Sequence, residues 1–177
     1  APQAMDAFAL ALAALGRSDR PEAERWLAEL ERRSKTAPTA DRYGANAEIA
    51  GILTKELRAL LVLVDGHKDE AVAMLREAAG AEDALPLEYG PPDIVKPSHE
   101  LLGEVLLGLA DGRGAQREFE RSLQLAPRRA LSLLGLSRAA VMNGDREAAA
   151  RAHAELRRIW HRADGDVAWV QEVARKW

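Results

Sequence analysis

Residues 97–127, PSHELLGEVLLGLADGRGAQREFERSLQLAP, decide the fold. Leucines recur on the first half at steps of four and three residues, at Leu102, Leu106 and Leu109. This spacing places them on one face of an α-helix. The run DGRG interrupts the periodicity, and glycine is common where one helix ends and another begins. The period resumes at Ala115 and stops at Pro127, because the residue before a proline is disfavoured in a helix. The stretch therefore predicts two antiparallel helices joined by a short turn.

The same stretch resembles one repeat of the tetratricopeptide (TPR) family. That repeat has small and large residues at set positions of two helices and a terminal proline. The matching positions here are Leu102, Gly103, Leu106, Ala115, Phe119, Ser122 and Pro127. His99 stands where the family has a tryptophan, which is a departure from the pattern. The resemblance implies an α-solenoid, in which stacked helix pairs bury their apolar faces against each other.

The spacing of the turn residues extends the repeat pattern along the chain. The turn residues Ala110 and Gly144 are 34 positions apart, which is the length of a TPR repeat. The turn at Gly66 lies 44 positions before Ala110, and Gly16 lies 50 positions before Gly66, so the earlier connections are longer. We predict a single all-α domain, an α-solenoid of about four TPR-like helix pairs. The units span residues 3–33, 41–80, 97–127 and 130–161, with a capping helix at 165–177 and an inserted loop at 81–96.

Composition describes a soluble globular chain and argues against several classes of function. The 177 residues are 47% hydrophobic and 30% charged, with a formal net charge of −3 and no cysteine. This near-neutral balance gives no argument for nucleic-acid binding. The longest apolar run, near residues 57–64, is interrupted by Arg58 and is shorter than the roughly 18 residues of a membrane span. We expect no nucleic-acid partner, no membrane insertion and no cofactor. Both a cytoplasmic and a periplasmic location fit this composition.

The inserted loop combines prolines with apolar residues. Residues 85–97, LPLEYGPPDIVKP, include four prolines and a glycine, which disfavour helix, and apolar side chains that need burial. A stiff, extended segment lying on the protein satisfies both conditions. We predict that it crosses the concave side of the solenoid and places Tyr89, Ile94 and Val95 against residues 52–64. There it would occupy part of the groove in which TPR proteins hold extended peptides.

A wider resemblance covers nearly the whole chain. The loop, the following SHELLGE and the stretch IWHRAD at residues 159–164 are similar to a group of longer bacterial TPR proteins that have no assigned activity. The resemblance implies that this chain is the C-terminal part of a longer solenoid.

The TPR resemblance also implies where a ligand binds, because the first helix of each pair presents ligand-facing residues at fixed offsets. The first row is Asp6, Glu56, Glu100 and Leu134, and the second row is Leu10, Leu60, Glu104 and Arg138. Relatives that grip a peptide's C-terminal carboxylate use lysine and asparagine in these rows, so acidic and apolar rows argue against that activity. We expect Glu100 and Glu104 to pair internally, with Lys96 or Arg138 as the nearest partners. The candidate binding residues are Glu56, Leu60, Tyr89, His99, Glu100, Glu104 and Arg138.

We interpret the chain as a non-enzymatic scaffold that binds a protein or peptide on its concave face. One alternative is a metal-binding protein or enzyme that uses His99, Glu100, Glu104 and His161. A metal site needs three or four converging ligands, and the sequence has no HExxH motif to supply them. A second alternative is a purely structural end-piece of a longer chain.

The aromatic residues favour packing over ligand binding, because tryptophans at helical spacing are more often core or cap residues. We predict that Phe119 is buried between the third and fourth pairs. We also predict that Trp169 and Trp177 shield the fourth pair.

Overall fold

The structure, a computed structural model, describes residues 4–36, 46–86 and 94–174, and within these ranges every regular element is an α-helix. The helices are α1 (Ala4–Gly16), α2 (Arg20–Thr36), α3 (Asn46–Val64), α4 (Lys68–Asp83), α5 (Ser98–Gly108), α6 (Gly112–Leu125), α7 (Ala130–Met142), α8 (Arg146–Ile159) and α9 (Ala168–Ala174). None of the helices in these ranges is long and apolar enough to cross a membrane. The chain divides into two compact units, Ala1–Ser98 and His99–Trp177.

Successive helices are joined in pairs by one recurring turn, which we call the pair joint. Its first residue has a left-handed backbone, with φ of 58° at Ser18, 89° at Gly66, 63° at Ala110 and 75° at Gly144. The N–H of the next residue donates to the carbonyl five residues earlier, which is the Schellman form of a helix end. These bonds join Asp19 to Ala14, His67 to Val62, Asp111 to Leu106 and Asp145 to Ala140, at 2.9, 3.1, 2.9 and 2.9 Å. The chain therefore repeats one helix–turn–helix unit, and its first joint lies at Ser18 rather than at Gly16.

In three of the four described pairs, the second residue of the pair joint is an aspartate, and this aspartate caps the start of the following helix. Its carboxylate accepts a hydrogen bond from the backbone three residues later: Asp19 from Glu22 at 3.1 Å, Asp111 from Gly114 at 2.8 Å and Asp145 from Ala148 at 2.9 Å. Such a cap satisfies a backbone N–H that has no partner within the helix. His67 holds the same place in the second pair and makes no side-chain cap bond. The joint is thus specified by residues next to each other in sequence.

In the first unit each helix packs on the next, α1 on α2, α2 on α3 and α3 on α4, and α1 also contacts α3. Ala14, Ala23 and Leu61 form a buried cluster that Leu15 and Leu27 cover. Contact between the first helices of neighbouring pairs is typical of stacked helical repeats. The unit therefore has the consecutive all-α packing that the sequence predicts.

In the second unit, Phe119 of α6 holds two pairs together. Its side chain is fully buried. Two glycines make room for the ring, since a Cβ on Gly103 of α5 would lie 2.9 Å from it and a Cβ on Gly135 of α7 would overlap it. The predicted burial of Phe119 between the third and fourth pairs is confirmed, and the close approach of both helices requires glycine at these two positions.

The second unit ends in a short capping helix. Helix α9 contacts α8, and Val173, which is 2% exposed, joins a cluster with Leu134 and Leu156. The prediction that Trp169 shields the fourth pair is wrong, because this side chain is 46% exposed. Trp169 lies in the first turn of the seven-residue helix, whereas Val173 in its last turn makes the core contact. Trp177 lies outside the described residues.

The inserted loop differs in part from its prediction. Helix α4 continues to Asp83, so residues 81–83 belong to the helix and not to the loop. Ile94 is buried, as predicted, but Val95 is 63% exposed, because neighbouring side chains of a non-helical segment point in different directions. Tyr89 lies outside the described residues, so its contact with residues 52–64 stays a prediction.

Candidate binding site

Three of the four residues in the first row that the TPR resemblance assigns to a ligand lie inside the protein. Glu56 and Glu100 are fully buried and Leu134 is 2% exposed. This corrects the expectation that Glu56 and Glu100 face outward. Both residues lie on the wide apolar face of their helices, and that face packs against neighbouring helices. Asp6 of the same row is exposed.

The second row is the one that reaches solvent. In the first unit, Leu10 of α1 is 42% exposed and Leu60 of α3 is half-buried. In the second unit, Glu104 of α5 and Arg138 of α7 are exposed. Each unit therefore offers part of this row to a partner, apolar in the first unit and charged in the second.

Arg138 belongs to an ion pair with the capping helix. Its Nε and Nη2 donate to the two carboxylate oxygens of Glu172, at 2.9 and 2.6 Å. The hydrogen bonds that Arg138 donates to Glu172 raise the pKa of Arg138, and the charge of Glu104 adds to the effect. Glu172 was missed by sequence reasoning, since it lies 34 residues from Arg138. Glu104 is the acidic side chain of the second row that remains at the surface.

The Glu100 site consists of Glu100, Arg129, Ser132 and Ser122. Arg129 Nε and Nη2 donate to the Glu100 carboxylate at 2.6 and 2.9 Å, in the two-pronged geometry typical of arginine. The Ser132 hydroxyl donates to the same carboxylate at 2.6 Å and lies 2.9 Å from the Ser122 hydroxyl. The expected partners of Glu100, Lys96 or Arg138, are replaced by Arg129. The signal in the sequence is an arginine directly before α7, with serine three residues later.

The Glu56 site consists of Glu56 on α3 and Ser98 at the start of α5. Neither Glu56 carboxyl oxygen, nor the buried Ser98 hydroxyl, has a hydrogen-bond partner among the residues that the structure describes. Burial raises the pKa of Glu56 to about 8, and the charge of Glu82 adds to the rise. The Ser98 hydroxyl, which lies near the carboxyl group without the geometry of a full hydrogen bond, and the charge of Lys96 act in the opposite direction, because they favour the ionised form. Glu82 itself is held by the Ser98 backbone N–H at 2.6 Å.

The histidines singled out from the sequence do not join a common site. His99 Nδ1 lies 2.7 Å from Glu118, and the His99 side chain is 12% exposed. His161 is exposed, with Nδ1 3.0 Å from the Arg158 carbonyl. Within residues 4–36, 46–86 and 94–174, three or more side chains of the metal-binding types do not come together anywhere. Glu100, another candidate ligand of the metal alternative, is hydrogen-bonded to Arg129 instead.

A groove that the sequence did not reveal runs between α3 and α4. It has a volume of about 460 Å³. Its lining includes Glu48, Ile52 and Lys55 from α3, Ala78 and Ala81 from α4, and Leu85. Lys55 also donates to Glu77 at 2.8 Å. Small alanines on α4 leave this space open, so the groove could receive an apolar side chain flanked by charges of both signs.

Comparison with known proteins adds no relative: the chain matches no protein-family description, no curated protein and no solved structure.

Proposed function

We propose that this protein is a non-enzymatic scaffold of the TPR type that binds a protein or peptide. The observation that carries the proposal is the pair joint, which recurs four times with the same backbone bonds among residues 4–36, 46–86 and 94–174. Repeated helix pairs place corresponding residues of successive first helices side by side, which creates extended binding surfaces.

The surfaces available to a partner support the same function. The groove between α3 and α4 has a mostly apolar lining with Glu48 and Lys55 at its edge. An open, mostly apolar groove with a few charges at its edge suits an apolar side chain of a bound peptide. In the second unit, Glu104 and the Arg138–Glu172 pair offer charges that fix the orientation of a partner.

Selection from a random peptide library on the purified protein tests the proposal. Enriched peptides are synthesised and their affinities measured by fluorescence anisotropy. We expect Ala81→Arg to weaken binding at least tenfold, because the long side chain fills the groove from an exposed position. Ala73→Arg is the matched control, since Ala73 is exposed on the same helix and does not line the groove.

The second unit is tested in the same way. Glu104→Arg reverses the exposed charge of α5, whereas Glu120→Arg makes the same change on the exposed face of α6. A peptide that binds the second unit should respond to the first variant and tolerate the second. If no peptide is enriched over the immobilisation support, or if all four variants bind equally well, the proposed scaffold function is wrong.

A further inference from the structure

The outer side of α6 carries three arginines in line, which we call the α6 arginine row. Arg113, Arg117 and Arg121 follow one another at intervals of four residues, so they lie along one side of the helix. Arg113 and Arg117 are exposed and Arg121 is half-buried, whereas Ala115 and Phe119 on the other side of α6 are buried in the core. Arg113 and Arg117 therefore add charge to the surface rather than contacts to the core.

The corresponding row of α8, 34 residues later, has mixed charge. It consists of Glu147, Arg151 and Glu155. Arg151 pairs with Glu147, while Arg128 and Arg158 donate to Glu155 at 2.7 and 3.1 Å. The charges at this position of the fourth pair are thus balanced within the protein.

The α6 arginine row has no such balance. Neither the Arg113 nor the Arg117 side chain forms an ion pair or a hydrogen bond with the residues that the structure describes. Arg121 donates to Gln124 at 3.3 Å and makes further interactions. The row therefore leaves two exposed guanidinium groups for a partner, and Arg121 adds to their positive potential.

The acidic residues next to the row in sequence are engaged in other contacts. Glu118 lies 2.7 Å from His99 Nδ1, and Glu120 accepts a hydrogen bond from the Gln116 amide at 3.0 Å. Asp111 is the N-cap of α6 and accepts a backbone hydrogen bond. None of these three carboxylates pairs with the row among the described residues.

Three arginines in this arrangement disfavour the helix that carries them. Like charges four residues apart on a helix repel each other, and Arg113 lies in the first turn, where the positive end of the helix dipole disfavours a cation. A local arrangement that opposes the fold is expected chiefly at functional sites.

An exposed leucine continues the line of the row. Leu125 follows Arg121 by a further four residues and is 49% exposed. A helix rises about 1.5 Å per residue, so the arginines span about 12 Å along α6 and Leu125 lies about 6 Å beyond them. The surface thus combines a line of positive charge with one apolar contact at its end.

From this arrangement we propose that the α6 arginine row docks an acidic segment of a partner protein, with carboxylates opposite the arginines and an apolar side chain on Leu125. Guanidinium groups suit carboxylates in charge and geometry. A protein partner is favoured over a nucleic acid, because the basic surface is one short line and the single aromatic residue of α6, Phe119, is buried and unable to stack on bases. The row shares no residue with the groove between α3 and α4 or with the second row, so this inference goes beyond the proposed function.

The probe for the test is a fluorescent, alanine-based helical peptide. It carries glutamate at three positions four residues apart and leucine four residues after the last glutamate. The control peptide has glutamine in place of each glutamate. Binding to the full chain is measured by fluorescence anisotropy, and we expect the glutamate peptide to bind at least tenfold more tightly than the glutamine peptide. Raising the NaCl concentration from about 50 to about 500 mM should weaken its binding on the order of tenfold, because salt screens exposed charges.

Two double variants with the same change in net charge separate the row from the overall charge of the protein. Arg113→Gln with Arg117→Gln should weaken binding at least tenfold. Arg146→Gln with Arg151→Gln, both exposed on α8, should change it less than twofold. Leu125→Ala should weaken binding of the leucine-containing peptide about threefold and leave a peptide with alanine at that place unaffected.

Absence of binding up to about 1 mM peptide at low salt would overturn the inference. Equal losses in the two double variants would also overturn it, because net charge alone would then explain the affinity. A short duplex DNA that binds more tightly than the peptide, with the same loss in the α6 variant, would show that the row binds nucleic acid instead. Self-association in sedimentation velocity that the α6 variant abolishes would show that the partner is a second copy of this chain. None of these results would affect the groove between α3 and α4, which Ala81→Arg tests separately.

Discussion

Replacement of Glu56 by glutamine should stabilise the protein, which is unusual for a substitution at a fully buried position. Glutamine has nearly the shape of protonated glutamic acid and is neutral at every pH. Burial raises the pKa of Glu56 from 4.5 to about 8. Between pH 4.5 and pH 8 the folded protein therefore keeps a proton on Glu56 that the unfolded chain has released. Stability from this group is therefore complete below pH 4.5 and is lost as the pH rises to about 8.

The magnitude follows from this shift. One pKa unit corresponds to about 1.4 kcal/mol, so the penalty is about 3 kcal/mol at pH 7 and about 5 kcal/mol above pH 8. The Glu56→Gln variant removes it. We expect the variant to match the wild type near pH 4.5 and to gain up to about these amounts of unfolding free energy at pH 7 and pH 9.

Glu100→Gln is the matched control, since it makes the same change at the corresponding position of the next repeat. There the carboxylate is bound by Arg129, which would lose its two charge-assisted bonds to Glu100. Breaking a buried ion pair is destabilising by about 3 kcal/mol. The same chemical change should thus have opposite signs at two corresponding positions, and the difference comes from Arg129.

Urea unfolding followed by circular dichroism at pH 4.5, 7 and 9 measures both variants. Hydrogen exchange of peptides from α3 and from α5 to α7 assigns each change to its unit, because two compact units need not unfold together. A Glu56→Gln protein that is less stable at pH 9, or whose difference from wild type is the same at pH 4.5 and pH 9, would refute the reasoning.

Five further substitutions test the packing of the second unit by thermal and urea unfolding. Phe119→Ala should cost about 3–5 kcal/mol, and an unchanged melting temperature would contradict the repeat register. Gly135→Ala should destabilise, because the new methyl group overlaps the Phe119 ring, whereas Gly108→Ala has open space and should be neutral or stabilise by up to about 1 kcal/mol. Val173→Ala should cost roughly 1–3 kcal/mol and Trp169→Ala less than about 0.5, and the reverse order would show that Trp169 is the capping residue.

The repeat architecture was predictable because its signals are local. Leu102 and Leu106 mark a helix by their spacing, and the small residue at 103 anticipates the place where Phe119 packs. Residues such as Gly66 and Asp111 specify a turn and a helix start through bonds to their own neighbours. These interactions span only a few residues, so periodicity and spacing are enough to locate them.

The tertiary structure alone decided which polar residues are buried and which charges pair. Helical spacing shows which residues share a face, but packing against neighbouring helices decides whether that face is covered. Glu56 is therefore buried and Glu104 exposed, although both were assigned to ligand-facing rows. Glu100 and Arg129 meet across 29 residues, and the position of Arg129 directly before α7 identifies it as the partner only once the packed helices bring it beside Glu100. Val95, which is 63% exposed, stands 34 residues before Arg129 in the corresponding position of the repeat, so no arginine is present there beside Glu56. Ion pairs depend on where side chains of separate helices end, and only the packed helices determine those positions.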